Sequence, residues 1–294
     1  MARGLFVGLT TVDIFNVVDT HPLPDQKIKA HHQAVCAGGP AANAAVAYAA
    51  FGNEADLVTG LGDHPTGALA LEDLQKHGVT VHDYSNDPET LPVLSSIIID
   101  SSNGSRCVVY RDPQGLTLAP DQRYNHLLED CPVILLDGFY LEQAITVAQE
   151  AQGRSLTVLD GGSWKEGLED LLPFIDYAIC SADFRAPGCS SDEDLLGFLE
   201  DVGVKGAAIS HGAEPIIYRT EGKQGCLCAP QVDAVDTLGA GDILHGTFCH
   251  HILTNPFPKS LEMAALSASH SCLSYGTRKW ISHYNDQDYA NEIR

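Results

Sequence analysis

Val133-Ile-Leu-Leu-Asp-Gly138 and Leu156-Thr-Val-Leu-Asp-Gly161 follow one pattern, a short and mostly apolar run that ends in Asp-Gly. Each run has the length of a strand buried on both faces, and Leu141 to Ala151 between them has the composition of a helix. Strand, helix and strand in that order predict a parallel sheet. The same rhythm extends outward. Leu5–Leu9 reads as a buried strand that ends in Thr-Thr, and residues 41–51 as an Ala-rich helix stopped at Gly52. Leu57–Leu61 is a strand, Gly67–His77 a helix ended by Gly78, and Ala207–Ser210 a further strand. A hairpin is expected over 215–228 around Gly222 and Gly225, and helices over 241–254 and 260–275. The expected fold class is α/β: one domain over 1–294, with a mainly parallel central sheet covered by helices on both faces. Two stretches, 14–36 and 93–112, break the rhythm with polar alternation. Within the second, Ser95–Asp100 and Arg106–Arg111 flank Ser-Ser-Asn-Gly-Ser, a hairpin signal. These stretches are expected to form a small antiparallel sheet that stands off the core and serves as a lid.

Composition narrows the partners. The chain has 294 residues, 17 Lys plus Arg against 39 Asp plus Glu, and a net charge of −22. That leaves no spare cations for a basic nucleic-acid face, and it disfavours an anionic membrane surface. The nine cysteines are odd in number and irregularly spaced, which suits reduced thiols better than a disulfide framework. Cys226-x-Cys228 has no second pair to complete a zinc site, and the adjacent pairs His31-His32 and His250-His251 do not face together on a helix or strand. The N-terminus meets Asp13 before any signal-like apolar region forms, and no apolar run reaches the ~18 residues of a membrane span. The expected location is the cytoplasm.

The strongest local signal is Asp236-Thr237-Leu238-Gly239-Ala240-Gly241-Asp242, which leads into an apolar stretch with His245-Gly246. Small residues at a helix start leave backbone N–H groups unshielded, and the helix dipole adds positive potential there, so Gly239, Ala240 and Gly241 form a candidate anion cradle. Asp242, in the first turn, is placed to accept a proton from an attacking alcohol. Read alone, the segment is equally a Gly-rich turn with an Asp that complements the dipole. His245 reads as a packed or hydrogen-bonded histidine. Neither a G-x-S-x-G elbow, nor a Walker A motif, nor a Rossmann G-x-G-x-x-G after the first strand is present.

The 236–242 segment resembles the D-T-x-G-A-G-D signature of the PfkB, or ribokinase-like, carbohydrate kinases, and matches all seven residues. The other signature of that family, a Gly-Gly pair followed by Asn on a small-residue helix, is similar to Gly38-Gly39-Pro40-Ala41-Ala42-Asn43. Val7–Asp13, His21–Asp25, Asn103–Arg106 and Val235–Asp242 look most like the ketohexokinase and sulfofructose kinase branch. The resemblance implies a ribokinase-like α/β/α fold and transfer of the γ-phosphoryl of Mg²⁺–ATP to a primary hydroxyl of a small, ketose-like sugar. It implies Asp242 as general base, with Gly239, Ala240 and Gly241 as the hole for the phosphoryl group. Asp13, Asp25, Gly38, Gly39, Asn43 and Arg106 would bind the sugar. Ser210, Gly212, Ala268 and Cys272 would flank the nucleotide, and Asp236 is where some relatives hold a monovalent cation. The exposed lid would allow a homodimer.

Several positions depart from the family pattern. The N-x-x-E motif that supports the metal is replaced by Ile179-Cys180-Ser181-Ala182-Asp183-Phe184, and T-x-G-x-x-G by Ser210-His211-Gly212-Ala213-Glu214-Pro215. Pro40 stands where ketohexokinases carry Asn. Lys27 with Arg106 would favour an anionic sugar, whereas Phe139 stands where a sulfofructose kinase has Arg. The rival readings are a kinase for a nucleoside or an anionic sugar, and a nucleotide- or sugar-binding regulator without turnover.

Overall fold

The computed structural model describes residues 1–87, 89, 91–113, 117–119 and 124–284. Seven parallel strands form most of a central sheet: β1 (Arg3–Val7), β4 (Glu54–Thr59), β5 (Val79–Asp83), β8 (Val133–Leu136), β9 (Leu156–Gly161), β10 (Tyr177–Ser181) and β11 (Gly206–His211). An antiparallel pair, β12 (Glu214–Thr220) and β13 (Lys223–Leu227), completes it, in the order β13-β12-β11-β10-β9-β8-β1-β4-β5. The structure therefore has the expected mainly parallel sheet. The 215–228 hairpin turns at Glu221-Gly222, both with positive φ.

Alternation along the strands builds two cores. Leu5, Val7, Ile134, Leu136, Leu159 and Cys180 point to one face, which is covered by α3 (Asn125–Leu128), α4 (Leu141–Ala151) and α5 (Asp192–Asp201). Phe6, Leu57, Leu135, Val158, Ile179 and Ala208 point to the other, under α1 (Pro40–Ala49), α2 (Pro65–Lys76), α6 (Ala240–His251) and α7 (Phe257–Ser271). A short α8 (Trp280–Tyr284) follows, and Trp280 fills a small buried cluster with Ala47 and Ile243.

The lid is a second sheet of β2 (Thr11–Val18), β3 (His32–Gly38), β6 (Val93–Asp100) and β7 (Arg106–Tyr110), in the order β3-β2-β6-β7. It differs from expectation in two ways. It begins at Thr11 and reaches Gly38, wider than 14–36. It is also not wholly antiparallel, because β2 and β6 run parallel. The two come from separate excursions, after β1 and after β5, and so enter the lid as unconnected strands rather than as a hairpin. Phe15, Val17, Cys36, Ile97 and Ile99 form the buried face of the lid, against Leu238 and Tyr275.

Strand β1 ends at Val7, two residues before the expected Leu9, because the chain here turns to a side chain for its hydrogen bonds. Asp137, at the end of β8, accepts from the N–H of Leu9 (2.8 Å) and Ala41 (3.2 Å) through Oδ2, and from Phe139 N–H (2.9 Å) through Oδ1. The cap of α1, Gly39, has no side chain to offer, and Pro40 follows it in the first turn. The carboxylate of Asp137 supplies the missing cap from another strand. Replacing Asp137 with Ala strands three donors, two of them in buried hydrogen bonds. The expected cost is about 2–4 kcal/mol, read as a fall of several degrees in Tm against wild type in a ligand-free melt.

Candidate active site

The carboxyl ends of the parallel strands and the inner face of the lid enclose a cleft of about 1060 Å³. The lid contributes one row across three strands, Asp13 on β2 opposite Ser95 on β6, itself opposite Tyr110 on β7. All three line the cleft. Asp13 is buried and accepts from Thr11 Oγ1 at 2.6 Å. Burial raises its carboxyl, and bonds from the Thr11 and Ser95 hydroxyls and the charge of Arg278 oppose the rise.

At the floor of the cleft, α6 starts from Gly239 in the left-handed conformation (φ 68°), with no side-chain cap. A Cβ on Gly239 would come within 2.5 Å of Thr277 Cγ2, so glycine is required there on conformation and space alike. The space above Gly241 is open. The first-turn carboxylate, Asp242, makes no cap hydrogen bond to its own helix and accepts from Asn43 Nδ2 at 2.7 Å, which joins α6 to α1. Burial pushes the Asp242 carboxyl up to about 7. Neighbouring Asp160 adds to the rise, while the Asn43 hydrogen bond and His245 pull against it. An acid near neutrality is suited to take a proton and release it again.

Asp160, at the end of β9, is buried, and its Oδ2 has no hydrogen bond among the described residues. His245 Nδ1 lies 3.3 Å from that oxygen. The ring of His245 meets two backbone carbonyls, Gly241 O at 2.7 Å and Ile179 O at 3.0 Å. It thus packs and bonds as the sequence suggested, and it stays out of the cleft lining. No cluster of three or more His, Cys, Asp or Glu suited to a metal occurs among the described residues. Asp160 lines the cleft, and its Oδ2, which accepts no hydrogen bond among the described residues, is a hard oxygen of the kind a magnesium ion takes.

The structure brings Asp13, Gly39, Asn43, Gly239 and Asp242 into one cleft. Gly39 (φ 96°) lies with its Cβ position 2.3 Å from Leu9 O, another place only glycine fills. Gly38 packs against the Asp13 carboxylate, and Ala240 and Gly241 continue the first turn of α6. Arg106, on the lid, reaches Thr237 Oγ1 in the loop before the cradle. Asp25 sits in an exposed turn closed by Gln26 N–H to Leu23 O and does not line the cleft, nor does Lys27.

Ser210 ends β11 and Gly212 makes the turn into β12. Segment 229–236 runs from that turn, where Gln231 Nε2 donates to Ala213 O (3.0 Å), to the end of α7, where Cys272 O accepts from Val235 N–H (2.8 Å). Ala268 and Cys272 are buried beside it. Asp236 is buried with both oxygens engaged, by Leu238 N–H (2.9 Å) and Gly276 N–H (2.8 Å), so it ties two loops together.

The sequence reading passed over Asp137, Asp160, Trp164, Lys165, Glu166 and Arg278. Asp137 and Asp160 carried a signal, the Asp-Gly that ends each strand run. Lys165 lies 4.3 Å from the Phe139 ring centroid and donates to Asp137 O (3.1 Å). No local pattern marks Lys165 or Arg278.

A buried carboxylate at a bare helix start, under a second sheet, at the carboxyl edge of a parallel sheet is an arrangement suited to phosphoryl transfer to an alcohol. The chain belongs to the pfkB family of carbohydrate kinases, whose model matches residues 1–283. Among curated proteins, it is 24% identical over 314 residues to a deoxyribokinase of Salmonella typhi, which covers 97% of this chain and 98% of the relative. A candidate ribokinase structure from Agrobacterium tumefaciens superposes with a TM-score of 0.88 at 25% identity, over 99% of this chain and 98% of that one. Arabidopsis thaliana ribokinase, solved with ribose and ATP, gives a TM-score of 0.75 at 20% identity over 100% and 99% of the two chains. Among the described residues, no helix is long and apolar enough to cross a membrane.

A carboxyl at about 7 must be ionised to take a proton, so kcat/KM is expected to fall as pH drops below about 7. Asn43→Ala removes the hydrogen bond that holds the Asp242 carboxyl down. The acid limb of the kcat/KM profile should therefore move to higher pH in that variant, as read by steady-state rates from pH 5.5 to 9.

Proposed function

We propose that the chain transfers the γ-phosphoryl of Mg²⁺–ATP to a primary hydroxyl of a small uncharged sugar, with Asp242 as general base. The observation that carries this reading is Asp242 itself: it is held by Asn43 at the open start of α6 and faces the same cleft as the lid residue Asp13. The sugar hydroxyl gives its proton to Asp242 as its oxygen attacks, and the N–H groups of Gly239, Ala240 and Gly241 receive the charge of the transferring phosphoryl. Asp13 and Asn43 orient the sugar, and the lid excludes water. ATP is expected along the 210–228 and 264–276 edge. Magnesium supplies charge neutralisation between the phosphates, and Asp160 is the residue that would face it.

The acceptor class follows from charge. Asp13, Asp112, Asp137, Asp160, Glu166 and Asp242 line the cleft, and among the described lining residues Lys165 is the one lysine or arginine. Its ammonium already serves the Asp137 and Ser163 carbonyls and the Phe139 ring. That balance speaks against an anionic sugar and against Lys27 as an anion contact. A ketose preference rests on the resemblance alone. The deoxyribokinase relative and the ribose-bound structure put pentoses first in a test. Asp25 and Arg106 remain proposed sugar contacts on the lid. A monovalent cation near Asp236 is compatible with the loop, but no step runs through it, because both Asp236 oxygens already accept N–H groups. The lid edges β3 and β7, with Val35 and Val109 exposed, suit pairing with a second copy of the chain.

ADP release from Mg²⁺–ATP with ribose, 2-deoxyribose, fructose and ribose 1-phosphate tests the reading. A neutral sugar is expected to exceed its phosphorylated counterpart at least ~10-fold in kcat/KM. Asp242→Asn should lower kcat at least ~100-fold. Near-wild-type turnover in Asp242→Asn removes the assignment of the base.

A further inference from the structure

Arg278, between α7 and α8, holds four partners. Its Nη1 donates to Asn43 Oδ1 (2.9 Å) and Thr277 Oγ1 (2.8 Å), its Nη2 to Ala37 O (2.8 Å), and its Nε to Asp73 Oδ2 (3.1 Å). The ion pair is mostly buried, with 13% of the Arg278 and 16% of the Asp73 side chain exposed. The same Asp73 oxygen accepts the N–H of Ala37 at 3.1 Å. Ala37, in β3 just before Gly38-Gly39, thus has both backbone groups held by one ion pair. Burial would raise the Asp73 carboxyl, but His77, Arg278 and the Ala37 N–H outweigh it and keep it below the usual carboxylate range.

The consequence falls on Asn43. A guanidinium only donates, so it fixes the amide with Oδ1 toward Arg278 and leaves Nδ2 for Asp242. A flipped amide would set NH₂ against guanidinium and oxygen against carboxylate, two repulsions at once. We propose that the Asp73–Arg278 pair is a positioning clamp: it locks the Asn43 amide toward Asp242 and anchors the root of lid strand β3. One ion pair thereby sets both the orientation of the base and the point from which the lid moves. The part concerning Asp242 rests on the reading of that residue as the base. Neither clamp residue lines the cleft, so the role is exerted through Asn43 and Ala37.

Two measurements on the full chain test the clamp. Steady-state rates with Mg²⁺–ATP and ribose or 2-deoxyribose are taken for Arg278→Met, Arg278→Lys, Asn43→Ala and the Arg278→Met/Asn43→Ala double variant. Arg278→Met should lose about 10–100-fold in kcat with KM for ATP within about twofold, and Arg278→Lys should recover only part of it, since an ammonium cannot serve the whole fork. The double variant should be no slower than Asn43→Ala, because the effect runs through that amide. Amide hydrogen exchange needs no turnover. In Asp73→Asn and Arg278→Met, Ala37 should exchange at least ~10-fold faster, with β1 and β8 at wild-type rates. Losses in kcat that multiply in the double variant overturn the lock on Asn43. An unchanged Ala37 rate, or equal acceleration in β1 and β8, overturns the anchor. Absence of turnover by the wild type with either sugar or fructose counts against the kinase reading instead, and the exchange result then decides the clamp alone.

Discussion

The geometry of the molecule depends on one carboxylate. Asp137 stands at the end of a central strand and accepts the N–H groups of Leu9, Ala41 and Phe139. Those three belong to the exit of β1 toward the lid, to the first turn of α1, and to its own loop. A parallel sheet leaves unpaired N–H groups at its carboxyl edge as the chain turns away, and a bare helix start leaves more. Here a single side chain meets both needs. The lid's take-off point and the helix that carries Asn43 are therefore fixed with respect to the same strand, and the cleft between them inherits that precision.

The cleft is acidic, yet its chemistry involves the most anionic of common cosubstrates. The structure separates the two demands in space. Carboxylates gather on the lid row and at the strand ends, where Asp13, Asp137 and Asp160 line the cleft. Among the described residues, positive charge at the cleft is limited to the N–H groups at the start of α6, the Lys165 ammonium in the lining and Arg106 beside Thr237. The elevated carboxyl of Asp242 follows from this crowding: it lies near Asp160 and Asp13 and is moderated by the Asn43 amide and His245. Basicity near neutral pH comes from the arrangement of neighbours rather than from a special residue.

Much of this was legible in the chain before its shape was known. The parallel sheet was written in strand runs such as 133–136 and 156–159, whose apolar residues alternate between two buried faces. The start of α6 was written in Gly239-Ala240-Gly241, where Gly239 supplies the left-handed turn that a side chain would block. The pairing of β2 with β6 was not legible: strand direction in a small sheet depends on where each excursion leaves the main sheet, which local alternation does not encode. Arg278 was invisible for a related reason. A lone arginine near a chain end looks like surface charge, and its partners Ala37, Asn43 and Asp73 lie more than 200 positions earlier. Lys165 was hidden in the same way, with its partners in the loop after β8.

That distance in sequence has an effect in time. During synthesis the N-terminal strands, α1 and the two lid excursions emerge long before the residue that holds Asn43 and Ala37 together. A nascent chain, or a product cut short before residue 278, has Asp13 on β2 and Asn43 on α1 but lacks the guanidinium that holds Asn43 and Ala37. The contacts that complete the site wait for residue 278, so they also report that translation has run through that position.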